Sequence, residues 1–214
     1  MNGKSRDHWL RYLVHAVALI PAGYLLWQIA ADQFLFDAIK EVTIRTGRLA
    51  ITFLMLSLAC TPVYIVLGLR KALEVRRELG LYASGYALVH FLTFAIWDYG
   101  MALPLIWQAV AYQRYIVPGG VALVILLILA LTSWPRLRTR LGKHWRALQK
   151  GAYLAGVLVV LHVMWAAKNP LERLNYGLIL IGLYLVRLPP VRRALVRARK
   201  GIAARFRGIS ERPT

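Results

Sequence analysis

Residues 117–133 read VPGGVALVILLILALTS, seventeen positions without one charged side chain. A helix needs about 17–25 mostly apolar residues to cross the hydrocarbon core of a bilayer. This run therefore predicts a transmembrane helix, and it sets the terms on which the rest of the chain is read. Five further apolar stretches lie around it, at 9–30, 47–69, 81–97, 149–167 and 174–186. The last is the shortest, with Arg173 and Arg187 at its ends to snorkel toward the interfaces. The first has too long an apolar run, with no small-residue cleavage site after it, to read as a signal peptide.

Composition agrees. Of 214 residues, 59% are hydrophobic and only 17% charged, yet Lys and Arg number 28 against 9 Asp and Glu, a formal charge of +19. Mean hydropathy is +0.53 and the isoelectric point near 10.8. Such a balance fits a nucleic-acid binder with a large core or a membrane protein with basic loops, and the length of the apolar runs selects the second. A lone cysteine, Cys60, excludes an internal disulfide and any cysteine-cluster metal site. It reads as a small buried residue ahead of Pro62. No internal repeat, low-complexity tract or long linker is legible.

The basic residues assign a sidedness. With the N-terminus inside, three fall before or early in the first span, four between spans two and three, six between spans four and five, and nine from Arg187 onward, 22 in all. Six remain outside, and the acidic residues divide four inside to five outside. The predicted fold is an all-α integral membrane protein, a six-helix transmembrane bundle with cytoplasmic N- and C-termini, over residues 1–190. Residues 191–214 form a basic cytoplasmic tail. There Val191, Leu195, Ala198, Ile202, Phe206 and Ile209 recur at helical spacing among arginines, the pattern of an interfacial helix on an anionic leaflet. No nucleic-acid-binding motif accompanies the charge.

Ionisable residues at membrane depth are costly and point to function. His90 sits in the third span, within GYALVHFLTF, and His162 in the fifth, within GVLVVLHVMW. Those spans are parallel, and counting about 1.5 Å of rise per residue puts the two histidines within about 6 Å of the same depth. Two imidazoles so placed can ligate one haem iron from its two faces. The small residues Gly85, Ala87 and Gly156 and the rings of Phe91, Phe94, Trp97 and Trp165 suit an apolar slot around it. The alternative is that each histidine only hydrogen-bonds across the bundle. His8 reads as solvated, His15 as hydrogen-bonded within the bundle, and His144, in the loop RLRTRLGKHWRALQK, as solvated or as a second-haem ligand. No catalytic triad, paired-carboxylate site, HExxH, P-loop or GxGxxG is present, and neither the intramembrane acids nor the broken helices more usual in a secondary transporter stand out.

Three stretches, ITFLMLSLACTPVY, RRELGLYASGYALVHFLTFAIWD and LTSWPRLRTRLGKHWRALQKGAYLAGVLVVLHVMW, resemble the ferric-reductase-like transmembrane family. Within it they are most like the haem-binding membrane subunits of bacterial periplasmic methionine sulfoxide reductase systems. The resemblance covers about residues 47–165. It implies an inner-membrane subunit that binds haem b, and in some members FMN. Its electrons come from the quinone pool or a cytoplasmic flavin reductase and pass to a periplasmic molybdopterin enzyme that reduces methionine sulfoxide in proteins. Sulfoxide reduction itself belongs to that partner. By position His90 and His162 match the family's haem-ligating histidines. Where members carry a further histidine in a WxxLHxxxY pattern, this chain has Gln149, a poor iron ligand, so one haem is expected and a second is doubtful.

His162 lies about five residues from the outer end of its span, roughly 8 Å of rise, which sets the haem in the outer half. The inner half then needs a relay, a flavin or a quinone at the basic inner face. Arg76, Arg77, Arg138 and Arg140 could pair a flavin phosphate there, although the plainer reading of the four is as topology determinants near lipid phosphates. Two rival readings stand: another electron carrier on the same scaffold, such as a metal or quinone reductase, and a haem-free transporter or scaffold.

Overall fold

The structure is a computed structural model that describes residues 8–33 and 38–210, with side chains from 9 to 201. Every regular element among them is helical. The chain order is α1 (His8–Ala30), α2 (Ala38–Leu67), the short α3 (Lys71–Glu74), and α4 (Arg76–Leu92), which continues as a π-helical turn, Thr93–Asp98. Then come α5 (Leu103–Tyr112), α6 (Ile116–Leu131), two short helices α7 (Pro135–Leu141) and α8 (His144–Leu148), α9 (Gly151–Ala166), α10 (Pro170–Leu185) and α11 (Pro189–Ser210).

Four helices are long and apolar enough to cross a membrane: Trp9–Ala30, Ala38–Leu67, Arg76–Asp98 and His144–Ala166. The expected six spans are reached only if two bent pairs each count as one. Leu103–Tyr112 and Ile116–Leu131 meet at 117°, and Pro170–Leu185 and Pro189–Gly201 at 76°. The run that opened the sequence reading thus forms a helix of 16 residues, about 24 Å of rise against a core of about 30 Å. A separate apolar helix, α5, folds away from its start. The chain is a multi-pass membrane protein.

Local chemistry sets the breaks. Asn169 caps α10, its Oδ1 accepting from the Leu171 amide at 3.0 Å with Pro170 at the first helical position. Trp134 is extended ahead of Pro135, so α6 cannot run into α7. Gly68, at φ +76°, takes the chain out of α2 in a conformation that favours glycine. The Arg199 guanidinium closes that end by donating to the Tyr64 and Ile65 carbonyls at 2.8 and 3.1 Å. It thereby pins α11 to the bundle. α11 is helical through Ser210, but the side chains of Ile202, Phe206 and Ile209, and residues 211–214, lie outside the described residues. The same holds for the His8 side chain.

The bundle is organised as two helix pairs, α2 with α4 and α6 with α9, joined by α4 against α6. Small residues let the backbones approach, as association in lipid requires. Ala83 on α4 and Ala155 on α9 are completely buried. Ser84 on α4 donates to the Leu126 carbonyl of α6 at 3.2 Å, and Gly156 on α9 lies against Leu58 and Tyr184. Large apolar side chains such as Leu19, Leu26 and Trp107 point outward from this core, where lipid replaces water as the surrounding medium.

The two pairs repeat each other. Thr43, Gly47, Ala83 and His90 of the first recur 72 residues later as Tyr115, Gly119, Ala155 and His162 of the second. This corrects the reading that the chain holds no repeat, and the repeat builds the site described next.

Candidate functional site: a doubled histidine cradle

His90 on α4 and His162 on α9 come together with ring centroids 6.2 Å apart and planes at 82°. Each is partly buried, and each is held in the same manner. His90 Nδ1 lies 2.8 Å from the Thr43 carbonyl of α2. His162 Nδ1 lies 2.7 Å from the Tyr115 carbonyl at the start of α6. A carbonyl only accepts, so Nδ1 carries the proton and donates it in both rings, which fixes the tautomer and leaves the Nε2 lone pair free to bind a metal.

One turn along from each carbonyl stands a glycine that makes room for the ring. A Cβ on Gly47 would lie 3.0 Å from Nδ1 and Cε1 of His90, and one on Gly119 would lie 2.6 Å from Nδ1 of His162. Carbonyl, glycine and histidine therefore form one three-part cradle, made twice. A metal–imidazole bond is about 2.0–2.1 Å, so two rings sharing one ion have centroids roughly 6 Å apart once the ring radii are added. The observed spacing fits. Among the described residues no group of three or more His, Cys, Asp or Glu is placed to hold a metal. The donor set is a pair of neutral imidazoles, suited to a cofactor that brings its own equatorial ligands.

The surroundings differ from the sequence reading. The ring packed on His162 is Tyr115, at 5.6 Å, edge-on. Trp97 and Trp165 are each about half exposed at 52%, and Phe91 and Phe94 pack on each other, with Phe94 against Tyr99. Gly85 has no neighbour within 4 Å of a would-be Cβ, whereas Gly156 is a true close-packing point. Tyr115 escaped notice because it precedes the apolar run, and its backbone carbonyl, which does the work, carries no sequence signature.

At the opposite end of the same helices, where the arginines gather, lies a cavity of about 410 Å³. Its lining includes Arg76, Arg77, Arg138, Arg146 and Lys150, together with Ser84 and Gln149 and no acidic residue. Arg77 donates to the Ser133 carbonyl at 3.0 Å, and the Arg138 guanidinium sits 4.5 Å over the Trp145 ring. Of the four arginines singled out in the sequence, Arg76, Arg77 and Arg138 line this cavity and Arg140 does not. Gln149 donates to the Leu129 carbonyl at 3.3 Å. His144 is exposed at the start of α8 and takes no part in the lining. Cys60 is buried, as expected.

The family described as ferric reductase like transmembrane component matches residues 46–160. The match begins one residue before Gly47, contains His90, Tyr115, Gly119 and the whole cavity lining, and ends two residues short of His162. It takes in more than half of the chain, and its members generally bind haem as membrane electron-transfer components. The chain belongs to the ferric-reductase-like transmembrane family.

Proposed function

We propose that this protein is a haem b electron-transfer subunit of the bacterial inner membrane, of the MsrQ type. It draws electrons from the quinone pool or a cytoplasmic flavin reductase and delivers them to a periplasmic molybdopterin enzyme that reduces methionine sulfoxide. The observation that carries this reading is the doubled cradle. Two imidazoles locked in one tautomer, with ring centroids 6.2 Å apart between helices, are a donor pair that would suit a haem iron. His90 and His162 would hold it, and the bound group would supply one-electron chemistry without an open coordination position.

The protein's own residues do the positioning. The Thr43 and Tyr115 carbonyls orient the rings and raise the basicity of Nε2. Gly47 and Gly119 keep the ring planes clear. The basic cavity supports a second station for an anionic cofactor, FMN, with Arg76, Arg77 and Arg138 on its phosphate. Roughly 20 Å of helix rise separates Arg77 from His90, so the two stations lie at different levels of one bundle. Because the histidines stand at the less basic end, the positive-inside rule favours electron flow from cytoplasm to periplasm.

The test is an absorption spectrum of the detergent-purified protein, oxidised and then reduced by dithionite. A reducible Soret band should be present, and His90→Ala and His162→Ala should each abolish it. Protein expressed with ample haem that shows no such band would sink the electron-transfer reading in favour of a haem-free transporter or scaffold. Co-purification with the periplasmic reductase separates this role from that of a metal or quinone reductase on the same scaffold.

A further inference from the structure

A second cluster of ionisable residues lies away from both stations, on the face where α1 meets α4. Arg11 and His15 of α1 stand one turn apart, as do Glu78 and Tyr82 of α4, and the two pairs face each other. The Arg11 Nε is 3.7 Å from Glu78 Oε1. His15 Nδ1 is 2.7 Å from the Tyr82 hydroxyl oxygen. Two features of the cluster go beyond a packing contact. Glu78 is only 8% exposed, yet its Oε2 has no hydrogen-bond partner, and leaving a buried carboxylate oxygen unpaired costs stability. His15 is exposed on a helix whose neighbouring surface is Tyr12, Leu13, Val17 and Leu19, so its imidazole faces lipid, where ionisable side chains are rarely found.

We infer that Arg11, His15, Glu78 and Tyr82 form the docking and deprotonation site for a lipid-borne hydroquinone. The inference rests on the reading of the chain as an electron carrier fed from the quinone pool, and it names where that donor binds. A hydroquinone arrives through the bilayer, which requires an entrance open to lipid, and it is neutral, so it needs proton acceptors rather than cations. The basic cavity offers the reverse, five cations and no acid. In the tautomer whose Nδ1–H donates to the Tyr82 oxygen, His15 Nε2 keeps a lone pair for a hydroxyl proton. Oxidation of one hydroquinone to quinone breaks two O–H bonds. One proton goes to His15 Nε2 and the other to the Glu78 carboxylate, while the two electrons would leave one at a time for the oxidant, the ferric haem that His90 and His162 would hold, reoxidised between the two transfers.

The fold supplies a direction for them. Tyr82 packs against Phe53 at 5.8 Å, and Phe53 stacks on Tyr86 at 5.5 Å with planes 7° apart. Tyr82, Tyr86 and His90 follow at i, i+4 and i+8 along α4, so one aromatic line leads from the cluster to the cradle over roughly 12 Å of rise.

The test uses the whole protein in lipid nanodiscs, illuminated with a photoreactive azido-ubiquinone and mapped by mass spectrometry. Label is expected on the α1 and α4 peptides that carry His15 and Tyr82. It should fall by about tenfold in His15→Ala and Glu78→Gln, the scale of one lost hydrogen bond to a ligand, and by less in the packing-conservative Tyr82→Phe, which removes only the hydroxyl that orients His15. All three variants should keep the dithionite-reducible spectrum. Label confined to the cavity residues, or undiminished by all three substitutions, overturns the site. A haem-bearing protein with no label on α1 or α4 overturns the site and leaves the electron-carrier reading intact. Label on α1 and α4 of a protein that takes up no haem supports the site while sinking that reading.

Discussion

Gly119 and His162 are packed so closely that one methyl group on the glycine would lie 2.6 Å from Nδ1 of the imidazole. At Gly47 the corresponding approach to His90 is 3.0 Å, which a ring can absorb by a shift of a few tenths of an ångström. The two halves of the cradle therefore differ in tolerance. Gly119→Ala should displace His162 at a cost of about 1–3 kcal/mol, the usual range for overpacking, which is roughly 5- to 150-fold in haem affinity. Gly47→Ala should cost distinctly less. Alanine is a better helix former than glycine by about 1 kcal/mol, so thermal stability of the haem-free protein should hold in Gly47→Ala, whereas in Gly119→Ala the overpacking offsets that gain or exceeds it. Haem content per protein, measured beside the melting temperature, separates loss of the cradle from loss of the fold.

The cavity makes a prediction that sequence position alone does not. Arg138→Gln and Arg77→Gln each remove a cation from its lining, and a hydrogen bond to a charged group is worth about 1.5–3 kcal/mol. Each should weaken FMN retention by about tenfold or more. Arg140→Gln, two residues from Arg138 but outside the lining, should leave it unchanged. Flavin fluorescence of protein titrated with FMN checks all three, and equal losses from Arg138→Gln and Arg140→Gln would show that net charge rather than the cavity binds the flavin.

At the other end of the bundle, Arg48 of α2 makes two hydrogen bonds to Glu172 of α10, at 2.9 and 3.1 Å. The pair is 57% exposed on the arginine side and 21% on the carboxylate side, so its worth is that of a well-formed surface ion pair, up to about 1 kcal/mol. Glu172→Gln should lower the melting temperature by roughly 2–4 °C, given the size of the chain, and leave the haem spectrum untouched. A spectral change would mean that α10 also supports the cradle.

Much of this architecture is legible in the sequence because membrane helices advertise themselves by composition. Four of the spans and the common depth of His90 and His162 follow from apolar runs and a rise of about 1.5 Å per residue. The 117° break before Ile116 does not, since α5 and α6 are both apolar and hydropathy is blind to direction. The repeat stayed hidden for a related reason. Its functional partners are two glycines, two histidines and two backbone carbonyls, and the carbonyls belong to residues as different as Thr43 and Tyr115. The cavity draws its lining from α2, α3, α4, α6, α7, α8 and α9, so it exists only once these helices are packed.

The repeat also bears on Gln149, where a family histidine is replaced. Counting back by the same 72 residues, the partner of Gln149 in the first half is Arg77, and both line the cavity. If the inner level is built like the outer one, a second two-histidine station needs imidazoles at both positions. Gln149→His alone should therefore leave the haem-to-protein ratio at about one, because the facing position still holds a guanidinium, which cannot ligate iron. The double substitution Gln149→His with Arg77→His should raise the ratio toward two and remove a cation from the flavin station, so that gain of haem accompanies loss of FMN. A ratio of two in the single variant would show that the inner level takes one axial ligand from outside the repeat, and His144, at the start of α8, would be the residue to substitute next.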